Sequence, residues 1–122
     1  DAKPLRLEAA TIRLAMLALG VDDLHPAPFS SSQPVLLVQV LDQQEVFGVQ
    51  VDDGEVTVES RVLDDPDITL SLYASEVLAI DPDHYLEGFR EMYQNKRLGV
   101  KYHRNQAELA LKGYASLASK FE

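Results

Sequence analysis

The chain has no cysteine. Disulfides, thiolate nucleophiles, iron–sulfur clusters and thiolate-bound zinc are therefore excluded. It also lacks any apolar run near the roughly 18 residues that cross a bilayer, so stable membrane insertion is not expected. No basic stretch followed by an apolar one reads as a signal peptide, and a cytoplasmic setting is the expectation. Basic residues are scarce: 11 Lys and Arg stand against 20 Asp and Glu, a net charge of −9. That balance argues against nucleic acid and against anionic membranes as partners. The scarcity is uneven. Between residues 21 and 85 only Arg61 faces fourteen acids, whereas residues 86–122 carry seven basic and four acidic side chains.

Chemical motifs are missing too. There is no glycine-rich phosphate loop and no G-x-S-x-G elbow. His25, His84 and His103 are far apart and form no H-x-x-x-H pair, so neither a metal nor a cofactor is expected. The pairs Asp22-Asp23, Asp52-Asp53 and Asp64-Asp65 fall in turns, where Asp is favoured for bonding to backbone. Ser31 and Ser75 read as a loop serine and a helix cap rather than nucleophiles. The chain is read as a non-enzyme.

What is present is one domain, residues 1–122, large enough to bury a core. Leu5, Ala9, Ile12, Met16 and Leu19 recur at helical spacing and predict a helix over 4–20, with Pro4 at its first position and Gly20 as its C-terminal cap. Leu7, Ala10, Leu14 and Leu17 widen its apolar stripe. The helix is therefore buried on two sides, covers a cavity, or forms a homodimer through residues 5–19. Residues 21–34 are a loop interrupted by Pro26, Pro28 and Pro34.

Strands follow over 35–41, 45–51, 55–62 and 68–72. Leu36, Val38 and Val40, then Phe47, Val49 and Val51, then Val56, Val58 and Val62, and finally Ile68, Leu70 and Leu72 are expected to face inward. Asp53-Gly54 is a tight-turn signal. Short turns between successive strands predict an antiparallel meander with one wet face. A short helix begins near Ser75. A second spans 82–94, with Asp81 as N-cap and Tyr85, Leu86, Phe89, Met92 and Tyr93 on its apolar face. Gly88 inside it costs about 1 kcal/mol against Ala. It reflects either tolerated strain or close approach by a backbone or a ligand. Asn95 is expected to end the helix in a left-handed conformation. A strand over 97–102 and a last helix, capped near Asn105 and running to Ser119, complete the chain. Ala107, Leu111, Tyr114 and Ala118 are expected on one face of that helix. The fold class is α+β: a mostly antiparallel five-stranded sheet over 35–122, with helices on one face and solvent on the other.

From Val35 to Leu117 the chain resembles the sterol carrier protein 2 domain family. The resemblance rests on Asp67-Ile68-Thr69-Leu70-Ser71-Leu72, Glu76-Val77-Leu78, Asp81-Pro82, Phe89, the Gln94-Asn95-Lys96 turn, the strand through Leu98 and Val100, and Leu109-Ala110-Leu111-Lys112, in that order. Two places depart from the pattern. The family usually has Gly at the position of Asn95, and a Gly-Asp or Gly-Asn turn where this chain has Tyr102-His103-Arg104-Asn105. The resemblance implies an apolar tunnel between the sheet and its helices, holding a sterol, an acyl chain or a related lipid. It also implies an accessory role in some pathways, quinone biosynthesis among them. Phe47, Phe89, Met92, Tyr93, Leu109, Tyr114, Leu117 and Phe121 are the expected lining, with Tyr93 or Tyr114 offering a hydroxyl to a headgroup. The partner is then a hydrophobic small molecule, and the role is non-catalytic binding or carriage. The alternative is a dimeric interaction or scaffold domain without a ligand cavity.

Overall fold

The computed structural model describes residues 6–121. Helix α1 (Ala9–Leu19) is followed by strands β1 (Val35–Val40), β2 (Glu45–Asp52), β3 (Glu55–Glu59) and β4 (Ile68–Leu72). Then come α2 (Ala74–Leu78), α3 (Tyr85–Gln94), β5 (Gly99–Tyr102), α4 (Gln106–Leu111) and α5 (Tyr114–Ser119). The five strands form one sheet in the order β3-β2-β1-β4-β5.

Alternation sets which face is buried. Leu36, Val38, Val40, Phe47, Val49, Val51, Val56, Ile68, Leu70 and Leu72 all leave water on the helix side. Slipping any of these strands by one residue would turn its apolar set outward, so burial itself fixes the register. The β2–β3 hairpin turns on Asp53 and Gly54, both at positive φ, and Asp52 pairs with Glu55 across it.

The meander does not hold beyond β3. The strand stops at Glu59, and Val62 is exposed rather than inward. Strand β4 pairs with β1, in parallel, while the other three pairings are antiparallel. Glu59 is level with Gly48, Gly48 with Leu37, and Leu37 with Thr69. Residues 60–67 therefore carry the chain sideways across three strand spacings of about 4.8 Å each, with little advance along the strands. They cross on the face opposite the helices, where Leu63 and the Arg61 carbonyl lie on Gly48. Any side chain at Gly48 would collide with them, so this part of the expected wet face is covered.

Helix α1 begins later than its apolar spacing predicts. The Gln43 side chain accepts from Leu7 N at 2.6 Å and donates to Leu7 O at 3.1 Å, which holds Leu7 extended and buried ahead of the helix. Pro4 and Leu5 lie outside the described residues. Gly20 caps the helix as expected, at φ 85°, donating to Leu17 and Met16 carbonyls. The second stripe divides: Leu7 is in the core, Leu17 is half-buried, and Ala10 and Leu14 are exposed.

Asp81 accepts from Asp83 N and opens a 3-10 turn (Pro82–His84) that leads into α3. Tyr85, Phe89 and Met92 are buried on the helix, Leu86 is half-buried, and Tyr93 is exposed. At Gly88 a Cβ would lie 2.6 Å from Ile80 Cδ1, so a side chain, Ile80, rather than a backbone makes the close approach there. Asn95 is not left-handed. Its φ is −91°, and Lys96, at φ 61°, takes that conformation instead. Lys96 N donates to Tyr93 O and Arg97 N to Met92 O, the paired bonds that place the left-handed residue one step later.

The last helix is two helices. Asn105 caps α4 by accepting from Glu108 N at 2.8 Å. Gly113, at φ 97°, breaks the run before Tyr114. The break rotates the buried face onto Leu109, Lys112, Tyr114 and Leu117, leaving Ala107, Leu111 and Ala118 exposed, against the expected stripe.

Candidate functional site

The site is built around one buried carboxylate. Asp67 immediately precedes β4 and is fully buried. Its Oδ1 accepts from Lys112 Nζ at 2.7 Å and from Arg104 Nε at 3.1 Å. Its Oδ2 accepts from the Tyr114 hydroxyl at 2.8 Å and from Val35 N at 3.1 Å. One side chain thus ties the start of β1 to the segment after β5, to the end of α4 and to the first residue of α5. Burial alone would push the Asp67 carboxyl up, but the bonds from Lys112, Tyr114 and Arg104 outweigh it and hold the group below the usual carboxylate range. Burial, the Asp67 charge and the bond to Asp67 drive the Tyr114 phenol up. Bonding to Asp65 and Asp67 also raises the Arg104 guanidinium above its ordinary value. Asp67 is therefore an ionised structural anchor with every acceptor direction engaged, not a proton donor.

This anchor sets α5 over the inner face of the sheet. The far end of α5 is held as well: Lys120 Nζ donates to Leu19 O at 2.9 Å, and Arg90 Nε donates to Lys120 O at 2.7 Å. Between the two ends lies an apolar cleft of about 60 Å³. Leu36, Ile68, Leu70, Val100 and Tyr102 form its sheet side; Tyr114, Leu117, Ala118 and Phe121 cover it. Tyr93 and Phe121 close one end with rings 5.6 Å apart.

A wider groove of about 520 Å³ adjoins the cleft, bounded by Tyr102, Arg104, Gln106, Leu109, Ala110, Tyr114, Ala115 and Ala118. Tyr102, Tyr114 and Ala118 line both spaces, so the two lie side by side. The groove falls in the range of small-molecule sites, about 300–1,000 Å³, whereas the cleft alone is smaller.

Among the eight expected lining residues, the structure brings Tyr93, Tyr114, Leu117 and Phe121 together around the cleft and places Leu109 in the groove. Phe47, Phe89 and Met92 pack in the core and line neither space. The Tyr114 hydroxyl is committed to Asp67. Sequence reasoning missed Asp67, Arg104 and Lys112 as a group. Only the Asp-x-Thr pattern ahead of β4 pointed toward Asp67, and nothing in the spacing of Lys112 marked it as buried.

Other chemistry is sparse among the described residues. No group of three His, Asp or Glu could hold a metal ion. Thr69 Oγ1 and His103 Nε2 lie 2.8 Å apart, but the pair is exposed and lines neither the cleft nor the groove. Ser75 sits at the start of α2, where its N–H, with that of Ala74, is bound by Asp42. No helix among the described residues is long and apolar enough to cross a membrane.

No family model and no curated protein matches the chain. Solved structures do. One described as "UbiJ-SCP2 Ubiquinone synthesis protein" is 18% identical, covers 92% of this chain and 88% of its own, and superposes with a TM-score of 0.50. The palmitated SCP2L2 from Aedes aegypti is also 18% identical, with 97% of this chain and 96% of that one covered and a TM-score of 0.50. The five-stranded, mostly antiparallel sheet and the helices packed on it agree with these neighbours, and the chain has the sterol carrier protein 2 fold.

Proposed function

We propose that the chain binds a lipid or other hydrophobic small molecule without transforming it, as a carrier or as an accessory to an enzyme that acts on the ligand. The observation that carries this reading is an apolar cleft under α5 beside a wider groove, the two sharing Tyr102, Tyr114 and Ala118 as lining. An apolar chain gains about 0.8 kcal/mol for each methylene it removes from water. The groove has the volume for such a chain, and the cleft extends it toward Tyr93 and Phe121. A neighbour of the same fold is described as palmitated, which supports an acyl chain as one ligand type. The cytoplasm is the setting this reading assigns.

The test is native mass spectrometry of the chain after exposure to a total lipid extract. A retained lipid-sized species, lost when Leu117 is replaced by Asp, is the expected result. No retained species across sterols, fatty acids, glycerides and isoprenoids overturns the reading.

A further inference from the structure

The polar end of the groove carries information about the ligand's head. Arg104 is the one charged residue lining the groove among the described residues. Its charge is already matched. Arg104 Nη2 lies 2.8 Å from Asp65 Oδ2, and Nε lies 3.1 Å from Asp67 Oδ1. Lys112, the other nearby cation, is 2.7 Å from the same Asp67 oxygen. Two carboxylates and two cations therefore balance, and all four are paired with one another. An anionic head at Arg104 would be a third acid against two cations, and it would lose water without a matching charge.

What the groove still offers is hydrogen-bond donors. Arg104 Nη1, the Gln106 amide and the Tyr102 hydroxyl make no side-chain hydrogen bond among the described residues, and all three residues border the groove. Donors in an electroneutral setting suit the oxygen of an alcohol, an ester or a glyceride. The apolar space next to the groove is the cleft, which shares Ala118 with it and places the tail toward Phe121.

Building on the ligand-binding reading above, we infer that the site selects a neutral amphiphile, with its oxygen-bearing head at Arg104 and Gln106 and its chain directed toward Phe121. The charge balance at Arg104 discriminates against a free carboxylate.

The experiment compares 1-monopalmitoylglycerol with palmitate at pH 8, each below its micellar concentration, by titration calorimetry on the full chain. The glyceride is expected to bind about tenfold more tightly, since palmitate must bring an uncompensated charge out of water. Asp65→Asn is the control variant. Asp65 is exposed at a positive φ of 55°, a conformation that Asn accepts, so the change removes a charge with little effect on the fold. It should strengthen palmitate about fivefold, the scale of an exposed charge pair, and leave the glyceride unchanged. Palmitate binding as tightly as the glyceride, or Asp65→Asn failing to change the ratio, overturns the headgroup assignment while the ligand-binding reading stands. Absence of binding by both lipids overturns the two together.

Discussion

The Lys112 ammonium rests 2.7 Å from the Asp67 carboxylate, 45 positions away in sequence, with both side chains out of water. A buried pair of this kind adds little net stability, because desolvation opposes the attraction. Removing one partner is different, because the other charge is left buried alone. Asp67→Asn should therefore cost about 3–5 kcal/mol in urea unfolding. Arg61→Ala, which breaks an exposed ion pair with Glu59, should change stability by less than about 1 kcal/mol. Equal effects of the two substitutions would show that Asp67 does not hold the helices to the sheet.

The same network sets the pH dependence at both ends. The Asp67 carboxyl is lowered on folding, so its contribution is complete above its ordinary value of 3.8 and is lost as pH falls through the lower folded value. The Tyr114 phenol is raised on folding. Its contribution is complete below its ordinary value of 10.0 and is lost as pH climbs above it. Urea midpoints of the native chain should fall below about pH 4 and again above about pH 10. Tyr114→Phe should lower stability at pH 7 by about 1.5–3 kcal/mol, the worth of a hydrogen bond to a charged group. It should abolish the alkaline fall that Tyr114 causes and soften the acid one, since Asp67 loses one of the bonds that lower it. A variant that keeps the full alkaline loss would place its origin outside Tyr114.

Gly88 gives a prediction whose sign depends on a neighbour. In an open helix Gly→Ala gains about 1 kcal/mol. Here the new methyl meets Ile80 at 2.6–2.8 Å, and overpacking of that kind costs about 1–3 kcal/mol. Gly88→Ala should destabilise the native chain yet stabilise an Ile80→Ala background. A double-mutant cycle measures the coupling. Equal effects in both backgrounds would mean that Ile80 is not what keeps the position small.

These residues also mark how far sequence reading reaches. The alternation in β1, β2 and β4 and the Asp53-Gly54 turn are local signals, written within a few residues, and all were legible. The partner of β4 was not. Asp64-Asp65-Pro66-Asp67 stops a strand in the same way whether the chain folds back or crosses to a distant strand, so turn chemistry cannot distinguish a meander from a crossover. Asn95 illustrates a milder version. Propensity favours Asn over Lys in the left-handed region, but the bonds from Lys96 and Arg97 to the last turn of α3 decide the position. The helical spacing of Tyr114, Leu117 and Phe121 near the chain's end was legible, and the structure sets all three along the cleft. Asp67 and Lys112 escaped, because only tertiary contact distinguishes a buried ion pair from two exposed charges.

Ala118, which the cleft and the groove share, makes the ligand reading testable without disturbing the core. Ala118 is exposed, yet it borders both the cleft and the groove. Substitutions at exposed positions usually change stability by about 0.5 kcal/mol or less. Ala118→Trp should therefore leave the urea midpoint near that of the native chain while its indole takes up space where the cleft and the groove meet. Binding of 1-monopalmitoylglycerol should fall by at least about tenfold, as expected when a chain loses roughly two buried methylenes or more. The chain has no other tryptophan, so emission from the new indole reports directly on its surroundings. Leu111→Trp is the matched control, since Leu111 is exposed on α4 and lines neither space. Its binding should match that of the native chain. Ala118→Trp binding lipid at native strength, with the fold intact, would mean that the ligand does not pass beneath α5.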